Sequence, residues 1–124
     1  MRRYKLILPK LKKVKNADGT FSLTRNNQLV YQFNAVGQLV RLGNRQGQFL
    51  TLTYNGGGQL SQVTEPVSGV FLRYHYNDKG LLARVTDAIG RQAILTYDEN
   101  DNLVSMTDGA GQTTRYTYNS DYLK

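Results

Sequence analysis

Hydrophobic and polar positions alternate with a period of two in several short segments of the chain. The run Leu50-Thr51-Leu52-Thr53-Tyr54 shows this alternation, and comparable runs rich in β-branched and aromatic residues end at Tyr76, Tyr97 and Tyr118. A period of two is typical of half-buried strands, and no window shows a helical period with caps. A second, shorter run follows each of the first three of these tyrosines. The pattern predicts two strands per unit joined by tight turns, which is a series of antiparallel β-hairpins.

The aromatic residues that end the longer runs recur at nearly constant spacing. They are Phe33, Tyr54, Tyr76, Tyr97 and Tyr118, and the spacings are 21, 22, 21 and 21 residues. A leucine follows six residues after each of the first four: Leu39, Leu60, Leu82 and Leu103. A fixed period of this length is the mark of a repeat architecture, in which each unit buries its face only against its neighbours. We interpret these nine residues as the structural anchors of the repeat.

Glycines mark the two ends of each unit. One set lies four residues after an anchor, and Asp101, whose residue type tolerates left-handed conformations, takes that place in the next unit. A second set ends the turns at the other end, each of which has an acid or amide near its start. Because glycine adopts positive φ without strain, we expect turn roles for both sets. The first set is Gly37, Gly58 and Gly80, and the second is Gly47, Gly69, Gly90 and Gly111.

The beginning of the chain is less regular than the remainder. Tyr4 to Leu8 has the composition of a strand ended by Pro9, and Asn26-Asn27 is a plausible hairpin tip before a strand from Leu29 to Phe33. We predict a divergent, basic N-terminal hairpin segment over residues 1–28 and about four repeats over residues 29–124, with the last unit cut short. The expected fold class is all-β, with tandem antiparallel hairpins in one extended, twisted or coiled meander sheet.

The net charge of +7 belongs to the start of the chain. Residues 1–15 contain seven Lys and Arg and no acid, whereas residues 16–124 contain nine basic and nine acidic residues. Such a segment can bind phosphate or an acidic partner, or it can solubilise an edge strand. No aromatic stacking platform accompanies the charge, so we favour the edge strand and do not expect nucleic acid as a partner.

Residues with catalytic or metal-binding chemistry are few. The chain has no cysteine and one histidine, His75, which occupies a strand position where the other units have threonine. The acids Asp98, Glu99 and Asp101 resemble a calcium loop but lack its central glycine and distal glutamate. The triplet from Gly56 to Gly58 lacks the lysine of a phosphate loop. We therefore predict no catalytic residue, no metal site, no cofactor and no enzymatic activity.

Several units in register resemble the YD repeats of the Rhs family. The resemblance covers residues 29–124 and is carried by units such as Tyr54-Asn55-Gly56-Gly57-Gly58-Gln59-Leu60 and by the dipeptide Tyr97-Asp98. Relatives include bacterial Rhs toxins, the cocoon component of insecticidal toxin complexes, and the teneurins. The resemblance implies a β-sheet that spirals into a hollow shell, which encloses a toxin in bacterial members and serves as an extracellular scaffold in teneurins.

The chain itself is too short for a complete shell. We find no counterpart of the toxin domain or of the self-cleaving region that closes the shell. The expected function is that of a non-catalytic structural module, a fragment of such a shell. The alternative is a carbohydrate- or cell-surface-binding module that uses exposed tyrosines. The expected partners are further repeats or another copy through open sheet edges, an enclosed toxin polypeptide in the full-length context, or a glycan. The resemblance implies a secreted, effector-delivered or cell-surface location in a bacterium.

Overall fold

The computed structural model describes residues 11–25 and 28–119. In this part of the chain there is no helix, and so none that is long and apolar enough to cross a membrane. The predicted strand from Tyr4 to Leu8, the hairpin tip at Asn26-Asn27 and residues 120–124 lie outside the described residues.

Eleven strands follow one another in a single open sheet in the order of the sequence, which confirms the predicted all-β meander of hairpins. They are β1 Leu11–Lys15, β2 Phe21–Arg25, β3 Leu29–Phe33, β4 Leu39–Asn44, β5 Phe49–Tyr54, β6 Leu60–Thr64, β7 Phe71–Tyr76, β8 Leu82–Asp87, β9 Gln92–Tyr97, β10 Leu103–Thr107 and β11 Thr113–Arg115.

Two of the strands differ from the sequence-based expectation. Strand β1 lies in the basic segment at residues where we predicted no strand, and it pairs antiparallel with β2 from Lys15 opposite Phe21 to Leu11 opposite Arg25. Strand β11 stops at Arg115, although the alternating pattern continues to Tyr118. One hydrogen bond, from the Tyr116 N–H to the Val104 carbonyl, extends the pairing by a single residue.

The chain divides into two compact units. The first runs to Thr53 and includes Thr64–Ser68, and the second consists of Tyr54–Val63 and the residues from Gly69 onward. In the first unit the register places Leu23, Tyr31, Leu42 and Leu50 in one row across β2 to β5.

In the second unit the register places Tyr74, Val85 and Ala93 in one row across β7 to β9, with Leu95 and Met106 opposite each other on the same side. We call this side of the second unit the apolar face. The other side, the polar face, carries Arg73, Arg84 and the threonines of these strands.

A β-bulge lies beside the anchor in three of the hairpins. The anchors Phe33, Tyr76 and Tyr97 pair with Leu39, Leu82 and Leu103, and the next pair toward the strand interior skips Val40, Ala83 and Val104, respectively. The bulge changes the alternation of the shorter strand. As a result Leu82, opposite Tyr76, and Val85, opposite Tyr74, both lie on the apolar face although they are three residues apart.

One turn geometry recurs along the chain. In residues 55–59 the Asn55 N–H donates to the Gln59 carbonyl at 2.8 Å, and the Gly58 N–H donates to the Asn55 carbonyl at 3.0 Å. The Asn55 Oδ1 accepts hydrogen bonds from the N–H groups of Gly57 and Gln59, both at 3.0 Å. The same backbone pattern occurs in turns that begin at Asn16, Asn34, Asn44, Asn77, Asp87, Asp98 and Asp108.

The fourth residue of this turn has positive φ in each of these cases. All seven glycines singled out from the sequence have φ between 76° and 91°. Asp101, which takes the glycine's place in its turn, has φ 64°. A different turn follows β6, where the Glu65 carboxylate accepts hydrogen bonds from the Val67 N–H and from the N–H and hydroxyl of Ser68.

The Asn or Asp that begins these turns was only partly recognised from the sequence. In all of these turns except the one at Asn16, its side-chain oxygen accepts hydrogen bonds from two backbone N–H groups and so satisfies donors that the turn would otherwise leave open. The available signal was an Asn or Asp directly after the anchors Phe33, Tyr54, Tyr76 and Tyr97. Apart from the turn after β6, the two kinds of turn that the sequence suggested therefore share one geometry.

We expect Gly90→Ala to destabilise the fold by about 1–2 kcal/mol, because an L side chain is strained at its φ of 89°. Gly56→Ala is the matched control, since both positions have no atom within 4 Å of an added Cβ and Gly56 lies outside the left-handed region. Urea unfolding of both variants tests this. Equal midpoints for the two would show that the turn conformation does not limit stability.

Candidate functional site

A row of tyrosines and leucines crosses the apolar face of the second unit. In each hairpin the anchor tyrosine pairs with the leucine that begins the following strand, Tyr76 with Leu82 and Tyr97 with Leu103. The hydroxyl of each anchor also reaches back to the preceding leucine. Tyr76 Oη donates to the Leu60 carbonyl at 2.7 Å, Tyr97 Oη to Leu82 at 2.5 Å, and Tyr118 Oη to Leu103 at 2.5 Å. We call these six residues the Tyr–Leu row.

The hydroxyl bonds connect successive hairpins. Tyr76 and Tyr97 each pair with one leucine in the strand register and donate to the carbonyl of another, 16 and 15 residues earlier. Tyr118 lies beyond β11 and makes the hydroxyl bond, to a carbonyl 15 residues earlier. The backbone carbonyl of the preceding leucine provides an acceptor within reach of each hydroxyl. Partial burial, and then the neighbouring Tyr74, raise the pKa of Tyr76, so this hydroxyl stays protonated and able to donate.

The remaining anchors are placed as follows. In the first unit, Phe33 pairs with Leu39 and is half-buried, and as a phenylalanine it has no hydroxyl to donate. Tyr54 ends β5 and is half-buried. The rings of Tyr76 and Tyr97 are half-buried as well, whereas Tyr118 is 45% exposed.

Burial in the described part of the chain is shallow everywhere. No apolar side chain there is buried, and Ser105, at 7% exposure, is the one buried polar residue. On the apolar face Leu72 and Met106 are 41% and 37% exposed. A single sheet with two open faces explains this, because no second layer covers either side within the described residues.

The residues considered as catalytic or metal-binding candidates make hydrogen bonds and an ion pair within the sheet and its turns. His75 lies on the polar face opposite Arg84, with its Nε2 3.3 Å from the Thr86 Oγ1. The Asp98 carboxylate accepts the N–H groups of Asn100 and Asn102, and Asp101 forms an ion pair with Lys79 at 3.0 Å. Within the described residues no three His, Cys, Asp or Glu side chains are grouped as metal ligands.

Two lysine side chains of the basic segment lie near an aromatic ring of the first unit. The amino groups of Lys13 and Lys15 lie 5.0 Å and 6.0 Å from the centre of the Phe21 ring. Both lysines are exposed and lie on β1, the first strand of the sheet. This placement favours the edge-strand interpretation of the charge. The residues Arg2, Arg3, Lys5 and Lys10 lie outside the described part of the chain.

Four carboxylates at the turns, those of Asp18, Glu65, Asp87 and Asp98, have lowered pKa values. Hydrogen bonds, first from the Asn102 N–H and then from Asn100, lower the pKa of Asp98 against an opposing effect of desolvation. At Asp87, desolvation raises the pKa, but hydrogen bonds from Arg91 and Ile89 together outweigh it, so the pKa is lowered. The side-chain hydrogen bond from Thr20 comes first in lowering the pKa of Asp18.

A lowered pKa in the folded state means that stability is lost in acid. The contribution of Asp98 should be fully present above the ordinary carboxyl pKa of about 4 and should be lost as the pH falls through the lower folded value. Asp98→Asn should therefore lose less stability than the parent between pH 6 and pH 2, measured as urea midpoints. Asp78→Asn, in the second position of its turn, is the control and should retain the parent's pH profile. An unchanged profile for Asp98→Asn would contradict the capping role.

Removal of one hydroxyl from the Tyr–Leu row should weaken the fold measurably. Tyr97→Phe keeps the ring but leaves the Leu82 carbonyl without its donor, so we expect a loss of about 1 kcal/mol in the free energy of unfolding. Tyr74→Phe is the matched control, since Tyr74 is half-buried on the same face and its hydroxyl has no partner among the described residues. It should change stability by less than about 0.5 kcal/mol. Equal losses in the two variants would show that the hydroxyl bond contributes nothing specific.

Comparison with known protein families identifies the repeat. A family model described as RHS Repeat matches residues 76–113 and residues 97–122. The two matches begin at the anchors Tyr76 and Tyr97, which are 97 − 76 = 21 residues apart, the period seen in the sequence. A search of curated proteins found no matching relative. Residues 76–122, which lie in the second unit, are therefore assigned to the Rhs-repeat, or YD-repeat, family.

Proposed function

We propose that this chain is a non-catalytic segment of the wall of a YD-repeat shell or extracellular scaffold, with its apolar face against another polypeptide. The Rhs repeats at residues 76–122 support the role of a structural repeat module. The family suggests that, in the complete protein, the polypeptide that the sheet encloses or supports is a toxin. We also propose that the protein lies outside the cytoplasm, where a bacterium delivers it or displays it.

The observation that carries the proposal is the absence of a buried apolar side chain in the described residues. A chain of 124 residues ordinarily folds around a core of fully buried aliphatic and aromatic residues. Here the leucines and tyrosines of the apolar face are at best half-buried. Covering them with apolar atoms would add about 25 cal/mol for each Å² removed from water, so a covering polypeptide would stabilise the sheet considerably.

The turns support the same proposal. The Asx-capped turn recurs with little variation in both units, and its carboxylates and amides are occupied by backbone N–H groups. Side chains committed to backbone capping are poorly placed for substrate chemistry. We also propose that residues 1–28 form a divergent opening segment and that the repeats proper occupy residues 29–124.

Glycan binding through exposed tyrosines receives less support. Stacking on a sugar requires an accessible ring face, and a polar contact to the sugar requires a free hydroxyl. The hydroxyls of Tyr76, Tyr97 and Tyr118 already donate to backbone carbonyls, and the rings of Tyr76 and Tyr97 are half-buried. These tyrosines serve the connection between hairpins.

The proposal is tested by whether the apolar face drives association of the purified chain. We expect concentration-dependent self-association in sedimentation velocity, together with enhancement of a hydrophobic dye's fluorescence. Met106→Thr together with Leu72→Thr should weaken the association at least tenfold. Ile94→Thr is the control, because Ile94 is 38% exposed, like Met106 at 37%, but pairs with Arg84 and Thr107 on the polar face.

A monomer that binds no dye at high concentration would overturn the proposal. So would specific, saturable binding to a glycan array that disappears in Tyr74→Ala, because it would favour the carbohydrate-binding alternative.

A further inference from the structure

Charges in the second unit are segregated between turns and strands. Five acids among the described residues of this unit lie in the turns: Asp78, Asp98, Glu99, Asp101 and Asp108. The one carboxylate within its described strands is Asp87, the last residue of β8, which pairs with Leu72 on the apolar face and binds Arg91. The strand interiors carry arginine instead.

The strand arginines of this unit share the polar face. Arg73 lies opposite Thr86, Arg84 opposite His75 and Ile94, and Arg115 opposite Ser105. All three are exposed, and none forms an ion pair with a carboxylate in the described part of the chain. The two ion pairs of this unit, Lys79–Asp101 and Arg91–Asp87, belong to turn residues.

Several of the neutral residues near these arginines carry hydroxyl groups, whereas Ile94 and Phe71 are apolar. Thr96 and Ser105 share a hydrogen bond across β9 and β10, and Thr107 and Thr113 share one across β10 and β11. Hydroxyl and amide groups of this kind can bond to backbone or side-chain groups of a second chain. The face is thus both basic and rich in uncharged hydrogen-bonding groups.

Arg73 is held in place by its neighbours. Its guanidinium carbon lies 4.4 Å from the centre of the Phe71 ring, and its Nε donates to the Gln62 Oε1 at 2.9 Å. Stacking on an aromatic ring and one hydrogen bond reduce the entropy lost when the guanidinium binds a ligand. Its two terminal nitrogens remain as donors for a carboxylate.

We propose that the polar face of the second unit binds an extended, carboxylate-rich segment of another polypeptide. Arg73 and Arg84 lie on adjacent strands in diagonal positions, about 7–8 Å apart at the backbone. Alternate side chains of an extended segment are about 6.5–7 Å apart, so two acidic residues on one side of it can each meet a guanidinium. Bidentate pairing with carboxylates is the contact for which arginine is best suited.

Single-stranded nucleic acid fits this face less well than an acidic polypeptide. Stable single-strand binding requires open aromatic faces for the bases. The Phe71 ring, the aromatic group of this face in the described strands, is covered by the Arg73 guanidinium. The proposal does not depend on the shell function, since it concerns the opposite face of the sheet.

The test measures fluorescence anisotropy of a labelled oligoglutamate of 20 residues against the purified chain at low and moderate salt. We expect Arg73→Gln with Arg84→Gln to weaken binding at least tenfold. Lys79→Gln with Arg91→Gln removes the same charge from turns of the same unit, and we expect it to weaken binding less than threefold. Arg84→Gln alone, which leaves the Arg73–Phe71 contact intact, should weaken binding at least threefold, and circular dichroism verifies the fold of each variant.

Three results would overturn the proposal. Equal losses in the two double variants would show that only net charge matters. Tighter binding of a single-stranded oligonucleotide of matched charge would identify a nucleic-acid surface. Absence of oligoglutamate binding at low salt would show that the polar face does not bind acidic polypeptides. That result would not bear on the proposal that the apolar face associates with another polypeptide.

Discussion

The hydrogen bond from an anchor tyrosine to the carbonyl of the preceding leucine is the interaction on which the second unit depends. A single hairpin is only marginally stable in water, and adjacent hairpins must share contacts to persist. Here the shared contact is made through the hydroxyls of Tyr76, Tyr97 and Tyr118, and Tyr76 and Tyr97 also pair with a leucine in register. The side chain that packs the apolar face thus also fixes the spacing between successive hairpins.

The period of the repeat follows from this arrangement. A five-residue turn, two strands of five or six residues and a second turn return the chain to the same position after about 21 residues. The bulge beside Tyr76 allows Leu82 and Val85 to share a face and leaves Arg84 on the other. The bulge therefore separates an apolar face from a basic one on the same sheet, and both proposed surfaces depend on it.

Much of this fold could be predicted from the sequence, because alternation, anchor spacing and turn glycines are local signals. The tyrosine hydroxyl bonds could not, since the acceptor is a backbone carbonyl 15 or 16 residues away and its identity requires the register. The face of Arg84 could not be assigned either. A strict period of two would place Leu82 and Arg84 on the same face. They lie on opposite faces because the bulge skips Ala83. Strand β1 was missed because its sequence, Leu11-Lys12-Lys13-Val14-Lys15, shows no alternation of apolar and polar residues.

The central claim is that the apolar face is open in this chain and covered by polypeptide in its functional state. Hydroxyl-radical footprinting tests it most directly, because Met106 and Ile94 are almost equally exposed and lie on opposite faces. At low concentration both should be labelled readily. As concentration rises, labelling of Met106 should fall while that of Ile94 stays constant. Protection of both residues together, or of neither, would contradict the account.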